Sequence, residues 1–284
     1  MPPSSVPEVA PTRRPIAPRS TLTFTTWLAP GLPKPMFDQL GAVIAEGLNL
    51  DHVVDMEPKM SGPLSPETDR FAQGLTDIGF VCPPSFSWLV GGQDPSVVLV
   101  PRAPVYTYAA SSGTAVYYSE VVVRADSGMA EFGDLAGRRV GYNDGASLSG
   151  FVSVLDRLVD DGRDPGWFGT FKCVGSHRTA LELIRAGDID AAAIDINVYH
   201  SWQHEHPTEA AELVSIATLG PYPVQPIVLR TGLAPALLDS VTAQLDRPEA
   251  TDAVREFGIV GFAPVNNAVY EELEQRINRA MQIA

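Results

Sequence analysis

Thiols are nearly absent: among 284 residues only Cys82 and Cys173 are cysteines. A disulfide-stapled scaffold is therefore excluded, and a cysteine-based zinc cluster with it. Lysine is equally sparse. Lys34, Lys59 and Lys172 are the full set, and none stands in a Schiff-base context. Positive charge is short throughout, with 20 Lys+Arg against 34 Asp+Glu and a formal net charge of −14. Nucleic acid and anionic membrane surfaces are bound through Lys and Arg, so neither is an expected partner. A small anionic ligand is not excluded, because a pocket sets its own local field. No apolar run reaches the roughly 18 residues that a membrane span needs. Dinucleotide and P-loop fingerprints, the G-x-S-x-G elbow and the H-E-x-x-H helix are all missing. No bound cofactor is therefore expected.

The first twenty residues, MPPSSVPEVAPTRRPIAPRS, lack the continuous apolar core of a secretory signal. Arg13-Arg14 runs straight into Pro15, a poor twin-arginine signal. Residues 1–20 read as a disordered, extended tail. As written, the chain is expected in the cytoplasm; a native leader removed from it would place it in the periplasm or outside the cell.

What is present suits a packed α/β protein. Hydrophobic residues make up 45% and charged residues 19%, enough for a sizeable core. The length suggests two lobes. Strands are expected at 22–27, 53–56, 77–81, 96–101, 105–109, 117–124, 138–142, 171–174, 190–194 and 227–230. Helices are expected at 36–46, 68–74, 150–160, 177–186, 235–246, 249–257 and about 266–283. Strands alternating with helices at this spacing imply parallel βαβ units.

Four segments could carry chemistry. Val140 to Gly150 (VGYNDGASLSG) lies between a strand and a helix, where open α/β sheets bind ligands. The hydroxyls of Ser147 and Ser149, with the free N–H groups of the helix start, suit an oxyanion; a simple serine N-cap explains the same residues. Gly175-Ser176-His177 opens another helix, whose dipole favours a neutral imidazole; a capping Ser176 beside a solvated His177 is the plain alternative. His200 and His204 share a helical face, but no third metal ligand stands at a fixed distance, so no metal site is expected. Cys82 follows a strand and is either a small core residue or, facing His177, a nucleophile.

In order, these pieces resemble the phosphonate/phosphite substrate-binding proteins of ABC importers over roughly residues 21–283. The matching segments are Asp77-Ile78-Gly79-Phe80, Tyr117-Tyr118-Ser119, Asp134-Leu135-Ala136-Gly137-Arg138-Arg139-Val140, Ser147-Leu148-Ser149-Gly150, Gly175-Ser176-His177, Gly187-Asp188-Ile189-Asp190-Ala191-Ala192 and Tyr222 to Val228. The resemblance implies a two-lobed periplasmic-binding-protein-like fold of type II. Each lobe would be a mostly parallel sheet flanked by helices, with the ligand cleft between lobes. Lobe one would comprise residues 21–116 plus 222–284, and lobe two residues 117–221. By position, Ser147, Ser149 and His177 would hold an oxyanion and Tyr117 would line the cleft. Phe80, Cys82 and Ser85 would form the lobe-one wall, joined by Trp27 at the end of the first strand.

Two departures from the family pattern bear on the ligand. Leu148 replaces a threonine and removes one hydroxyl, a loss of roughly 0.5–1.5 kcal/mol. Where the aminoalkylphosphonate branch has acids, this chain has neutral Asn197 and Gln225, with Asp195 close by, so a ligand less cationic or bulkier than a zwitterionic aminophosphonate is expected. The expected function is capture of a small anionic or polar solute, phosphonate-, phosphite- or carboxylate-like, with an ABC permease as partner if the protein is exported. The same scaffold hosts enzymes, so the alternative is a cytoplasmic lyase or hydrolase using Cys82, His177 and Asp195.

Overall fold

The computed structural model describes residues 20–108, 112–233 and 235–284. The expected disordered tail falls on residues 1–19, outside the described residues, except for Ser20. The first stretch contains strand β1 (Thr21–Thr26), helix α1 (Lys34–Gly47) and strands β2 (Asp51–Met56) and β3 (Ile78–Phe80). It continues with helix α2 (Pro83–Val90) and strands β4 (Val97–Leu99) and β5 (Arg102–Tyr106). The middle of the chain forms β6 (Val116–Arg124), β7 (Arg139–Tyr142), α3 (Ser153–Asp160), β8 (Thr170–Cys173), α4 (His177–Ala186) and β9 (Ala191–Asp195). Then come α5 (Ile196–Glu205), α6 (Pro207–Ala210), β10 (Leu213–Pro223) and β11 (Ile227–Arg230). The chain closes with α7 (Pro235–Leu245), α8 (Pro248–Val254), β12 (Ile259–Pro264) and α9 (Asn267–Met281).

Two five-stranded sheets organise these elements. One has the order β2-β1-β3-β11-β4 and the other β10-β6-β9-β7-β8, while β12 and β5 form a separate pair. The pairing bears out mostly parallel sheets: in each, four strands run one way and a single strand is reversed. In the first, β1 runs parallel to β2 and β3, but β11 is antiparallel to β3 and β4. In the second, β7 is parallel to β8 and β9, whereas β6 is antiparallel to β9 and β10. The reason lies in the chain path. Strands β6 and β11 begin just after the chain has crossed from one sheet to the other, and each runs against its neighbours.

The apolar pattern explains the layers. Helix α1 buries Met36, Phe37, Leu40 and Ile44 along one stripe, with proline at its start where no N–H is needed. Strand β9 (AAAID) is buried at every position, as a central strand covered on both faces must be. Fully burying side chains such as Phe24, Ile44 and Ile78 contributes roughly 1.5–3 kcal/mol each. Helix α9 is tied to α3 by charge: Asp156 takes Arg276 at 2.6 Å and Arg279 at 2.8 Å.

Several elements differ from expectation. Residues 68–74 form turns rather than a helix, because the Asp69 carboxylate accepts the Phe71 and Ala72 N–H groups and caps a turn locally. Helix α2 was hidden by Pro83-Pro84, which the first helical turn tolerates. Strands β10 and β12 carry glycine, proline and register shifts, which blur their alternation. Ala109, expected to end a strand, is outside the described residues. Among the described residues no helix is long and apolar enough to cross a membrane.

Candidate functional site

Strand β7 ends at Tyr142, and the loop after it delivers Asn143, Asp144 and Ser147. The helix start that follows is irregular. Residues 148–152 form one π-helical turn before α3, and the Val152 N–H reaches back to the Ser147 carbonyl at 3.1 Å. Such turns frequently mark functional sites. Ser147 caps it by accepting the Gly150 N–H at 3.0 Å. Strand β8 leads through Gly175, whose φ of 95° suits glycine, into the start of α4. There Ser176 caps the helix by accepting the Thr179 N–H at 3.0 Å. The plain alternative is therefore half right: Ser176 caps, but His177 is buried rather than solvated.

The two turns meet. The Ser149 hydroxyl and His177 Nε2 lie 3.1 Å apart. Both border a cavity of about 50 Å³ between the two sheets. By the measure that gives one water some 10–15 Å³, this space holds a solute of a few heavy atoms. Of the residues expected at the site, Trp27, Cys82, Ser147, Ser149, His177, Asp195 and Gln225 line it. The others stand behind or beside the wall. Tyr117 is fully buried next to the Cys82 thiol and Ser149 hydroxyl. Leu148 turns its side chain into the core while its N–H donates to Cys82 Sγ at 3.2 Å. The Asn197 N–H donates to Asp195 Oδ1 at 2.8 Å. Phe80 packs on Phe37, with ring centroids 5.0 Å apart, and the Ser85 hydroxyl donates to the Pro63 carbonyl.

The wall also contains residues that sequence reasoning did not single out. Ser61 and Asp144 join across it: the Ser61 hydroxyl donates to Asp144 Oδ2 at 2.8 Å and its N–H to Oδ1 at 3.2 Å. Asn143 Nδ2 donates to the same carboxylate at 3.0 Å. The Leu28–Leu32 turn closes another side. Asn143 and Asp144 were visible as part of the loop after β7; nothing local in SGPLSPE marks Ser61.

Electrostatically the cavity is unusual for an anion site, since none of its lining side chains is Lys or Arg. Burial pushes the Asp195 carboxyl up to about 6, against the lowering effect of donors from Asn197 and Gln225. Burial also raises Asp144, opposed by its hydrogen bonds from Ser61 and Ala146. The His177 imidazole is driven down to about 4 by burial, so it is neutral near pH 7. Burial raises the Cys82 thiol far above its ordinary value, the reverse of an activated nucleophile. Positive potential comes instead from the helix starts at 148 and 177. Elsewhere, His200 stands edge-on to Tyr108 at 6.4 Å, and the described residues contain no group of three or more side chains able to hold a metal.

The sequence model of the phosphonate periplasmic substrate-binding proteins of ABC transporters matches residues 54–270. Among solved structures, the fold is similar to a binding-protein component of an ABC phosphonate transporter (PA3383) from Pseudomonas aeruginosa. That match has a TM-score of 0.76 at 14% identity, covering 94% of this chain and 88% of the other. PhnD1 from Prochlorococcus marinus, solved in complex with methylphosphonate, gives a TM-score of 0.75 at 14% identity over 93% and 99% of the two chains. XAC2383 from Xanthomonas citri, solved bound to ATP, gives 0.67 at 18% identity over 93% and 99%. These likenesses establish a type II two-lobed fold, and the family match extends over most of the sequence. The chain belongs to the phosphonate substrate-binding protein family of ABC transporters and is a solute-binding protein.

Proposed function

We propose that the protein captures a small phosphonate-class oxyanion in the cavity bordered by Ser147, Ser149 and His177, as the receptor of an ABC importer. The observation that carries this reading is the convergence of two serine-capped helix starts on one cavity, with Ser149 and His177 in direct contact. Hydroxyls and helix-start N–H groups hold an oxyanion without a lysine or arginine. Residues 21–116 with 222–284 are taken as one lobe and 117–221 as the other, closing by hinge motion over the ligand. A permease would receive the solute. The periplasmic character of the family supports a site of action outside the cytoplasm rather than the cytoplasmic location expected from the sequence.

The enzymatic alternative has less support. Cys82, His177 and Asp195 do border one cavity, but the thiol is held protonated and already accepts the Leu148 N–H. Calorimetric titration with methylphosphonate, phosphite, phosphate and acetate tests the proposal. Saturable one-to-one binding of a phosphonate or phosphite is expected; no saturable heat with any of the four would overturn it.

A further inference from the structure

The Leu28–Leu32 turn follows β1 and forms one side of the cavity, yet it is held from the side of the opposite sheet. Arg178, the second residue of α4, donates its Nε–H to the Pro30 carbonyl at 3.0 Å. The same guanidinium grips Glu205, the last residue of α5, through both terminal nitrogens. Nη1 donates to Oε2 at 2.6 Å and Nη2 to Oε1 at 2.9 Å. That fork fixes the guanidinium plane and leaves the Nε–H aimed at the turn. Ser201 steadies the acid by donating to Glu205 Oε1 at 2.9 Å. The bond from Arg178 holds the Glu205 carboxyl down to about 2, so the pair keeps both charges near neutral pH. The turn is also seated sterically. A Cβ at Gly31 would lie 3.3 Å from Val198 Cγ2 of α5, so the backbone of the turn rests closely on that helix.

From this we infer that Arg178 is a positioning residue that latches the Leu28–Leu32 turn over the cavity and sets how long a solute stays there. The inference rests on the solute capture proposed above and assigns the step that Arg178 controls, release rather than entry. Separating the two sheets on this side of the cavity breaks the Arg178–Pro30 bond. The fork to Glu205 joins α4 to α5, both beside the second sheet, and survives that separation. The guanidinium therefore stays oriented, and re-forming its bond to the turn costs little side-chain entropy. Arg178 follows His177, which touches Ser149, so one helix start carries both the proposed oxyanion contact and the latch. A bond that closes only after a solute has entered slows its departure and leaves its arrival unchanged. The other bonds across the cavity, from Ser61 to Asp144 and from the Leu148 N–H to Cys82, do not involve this turn.

The test follows methylphosphonate on the whole protein, with rates from stopped-flow tryptophan fluorescence and Kd from calorimetry. Arg178→Met keeps an unbranched stem and removes every donor. Its release is expected to be about tenfold faster, with association within about twofold of the parent. The ligand-free Tm is expected to stay within about 2 °C, because a half-exposed ion pair adds little to the fold. Arg178→Lys keeps the charge but loses the fork, and its release is expected to be about fivefold or more faster than the parent's. Arg185→Met is the control, since that arginine lies on the same helix and pairs with Glu182 and Glu212. Release from both Arg178 variants within about twofold of the parent overturns the latch and leaves the capture reading standing. Equal acceleration in Arg185→Met ties the effect to the helix as a whole and also overturns it. No saturable binding of methylphosphonate by the unmodified protein overturns both. Should Arg178→Met not fold, Arg178→Lys decides the matter.

Discussion

Replacing Gly150 by alanine should damage the binding site by displacing side chains that border the cavity. Gly150 sits in the π turn, and its N–H donates to Ser147 Oγ at 3.0 Å. A methyl group there would land on Asn143 Oδ1, 2.9 Å from Asn143 Cγ and 3.0 Å from His177 Cε1. Carbon atoms rest comfortably at about 3.5–4.0 Å, so something must move. Asn143 cannot swing away without breaking its bond to Asp144, and His177 cannot shift without releasing Ser149. Overpacking of this kind costs about 1–3 kcal/mol. In a chain of this size each kcal/mol lowers Tm by about 2–4 °C. Loss of one or two oriented hydrogen bonds weakens binding of methylphosphonate about tenfold. Differential scanning fluorimetry and calorimetry read the two effects. Gly145→Ala is the control, since its added methyl meets nothing within 4 Å. A Gly150→Ala protein with unchanged Tm and a Kd within twofold of the parent would refute the close-packed geometry argued for the turn.

Asp195 and His177 should give opposite pH signatures. Asp195, raised to about 6, binds more protons folded than unfolded between pH 4 and 6, so its contribution weakens the fold as pH rises. His177, lowered to about 4, binds fewer protons folded between pH 4 and 6.5, so its contribution weakens the fold as pH falls. Each is worth about 3 kcal/mol across its window. Relative to the parent, Asp195→Asn should therefore gain stability from pH 4 to 6 and His177→Gln should lose it; Tm profiles with slopes of the same sign would contradict this. Thiol labelling of the native protein should modify the exposed Cys173 and spare the buried Cys82, and rapid labelling of Cys82 would revive the nucleophile reading. Asp156→Asn should cost about 1–3 kcal/mol in urea unfolding, because the Asp156 side chain is 3% exposed and pairs with two arginines; the half-exposed arginines keep the loss below that of a fully buried pair. A change under about 0.5 kcal/mol would show that the α3–α9 clasp is ornamental.

Much of this architecture was legible in residue order. The period of α1 and α4, and the glycine at 187 that ends α4, are local signals that survive folding. So did the serines of the two helix starts, because capping is a property of a few adjacent residues. The mostly parallel sheets were legible, but the single reversed strand in each was not, since it depends on where the chain crosses between sheets. Ser61 was hidden because its role exists only when the Ser61 loop meets Asp144, 83 positions away. Leu148 and Tyr117 were placed at the cleft by alignment to the family, and both stand behind the wall instead. Here side-chain type and neighbourhood were legible but direction was not. The same holds for Gln225: its neutrality was visible in the sequence, whereas the orientation imposed by Asp195 requires coordinates.

The most direct measurement is a crystal structure of the protein with methylphosphonate. The phosphonate oxygens should lie about 2.7–3.2 Å from Ser149 Oγ, the Ser149 N–H and His177 Nε2. A ligand seated away from both helix starts, or with its oxyanion directed at Asp195, would contradict the account.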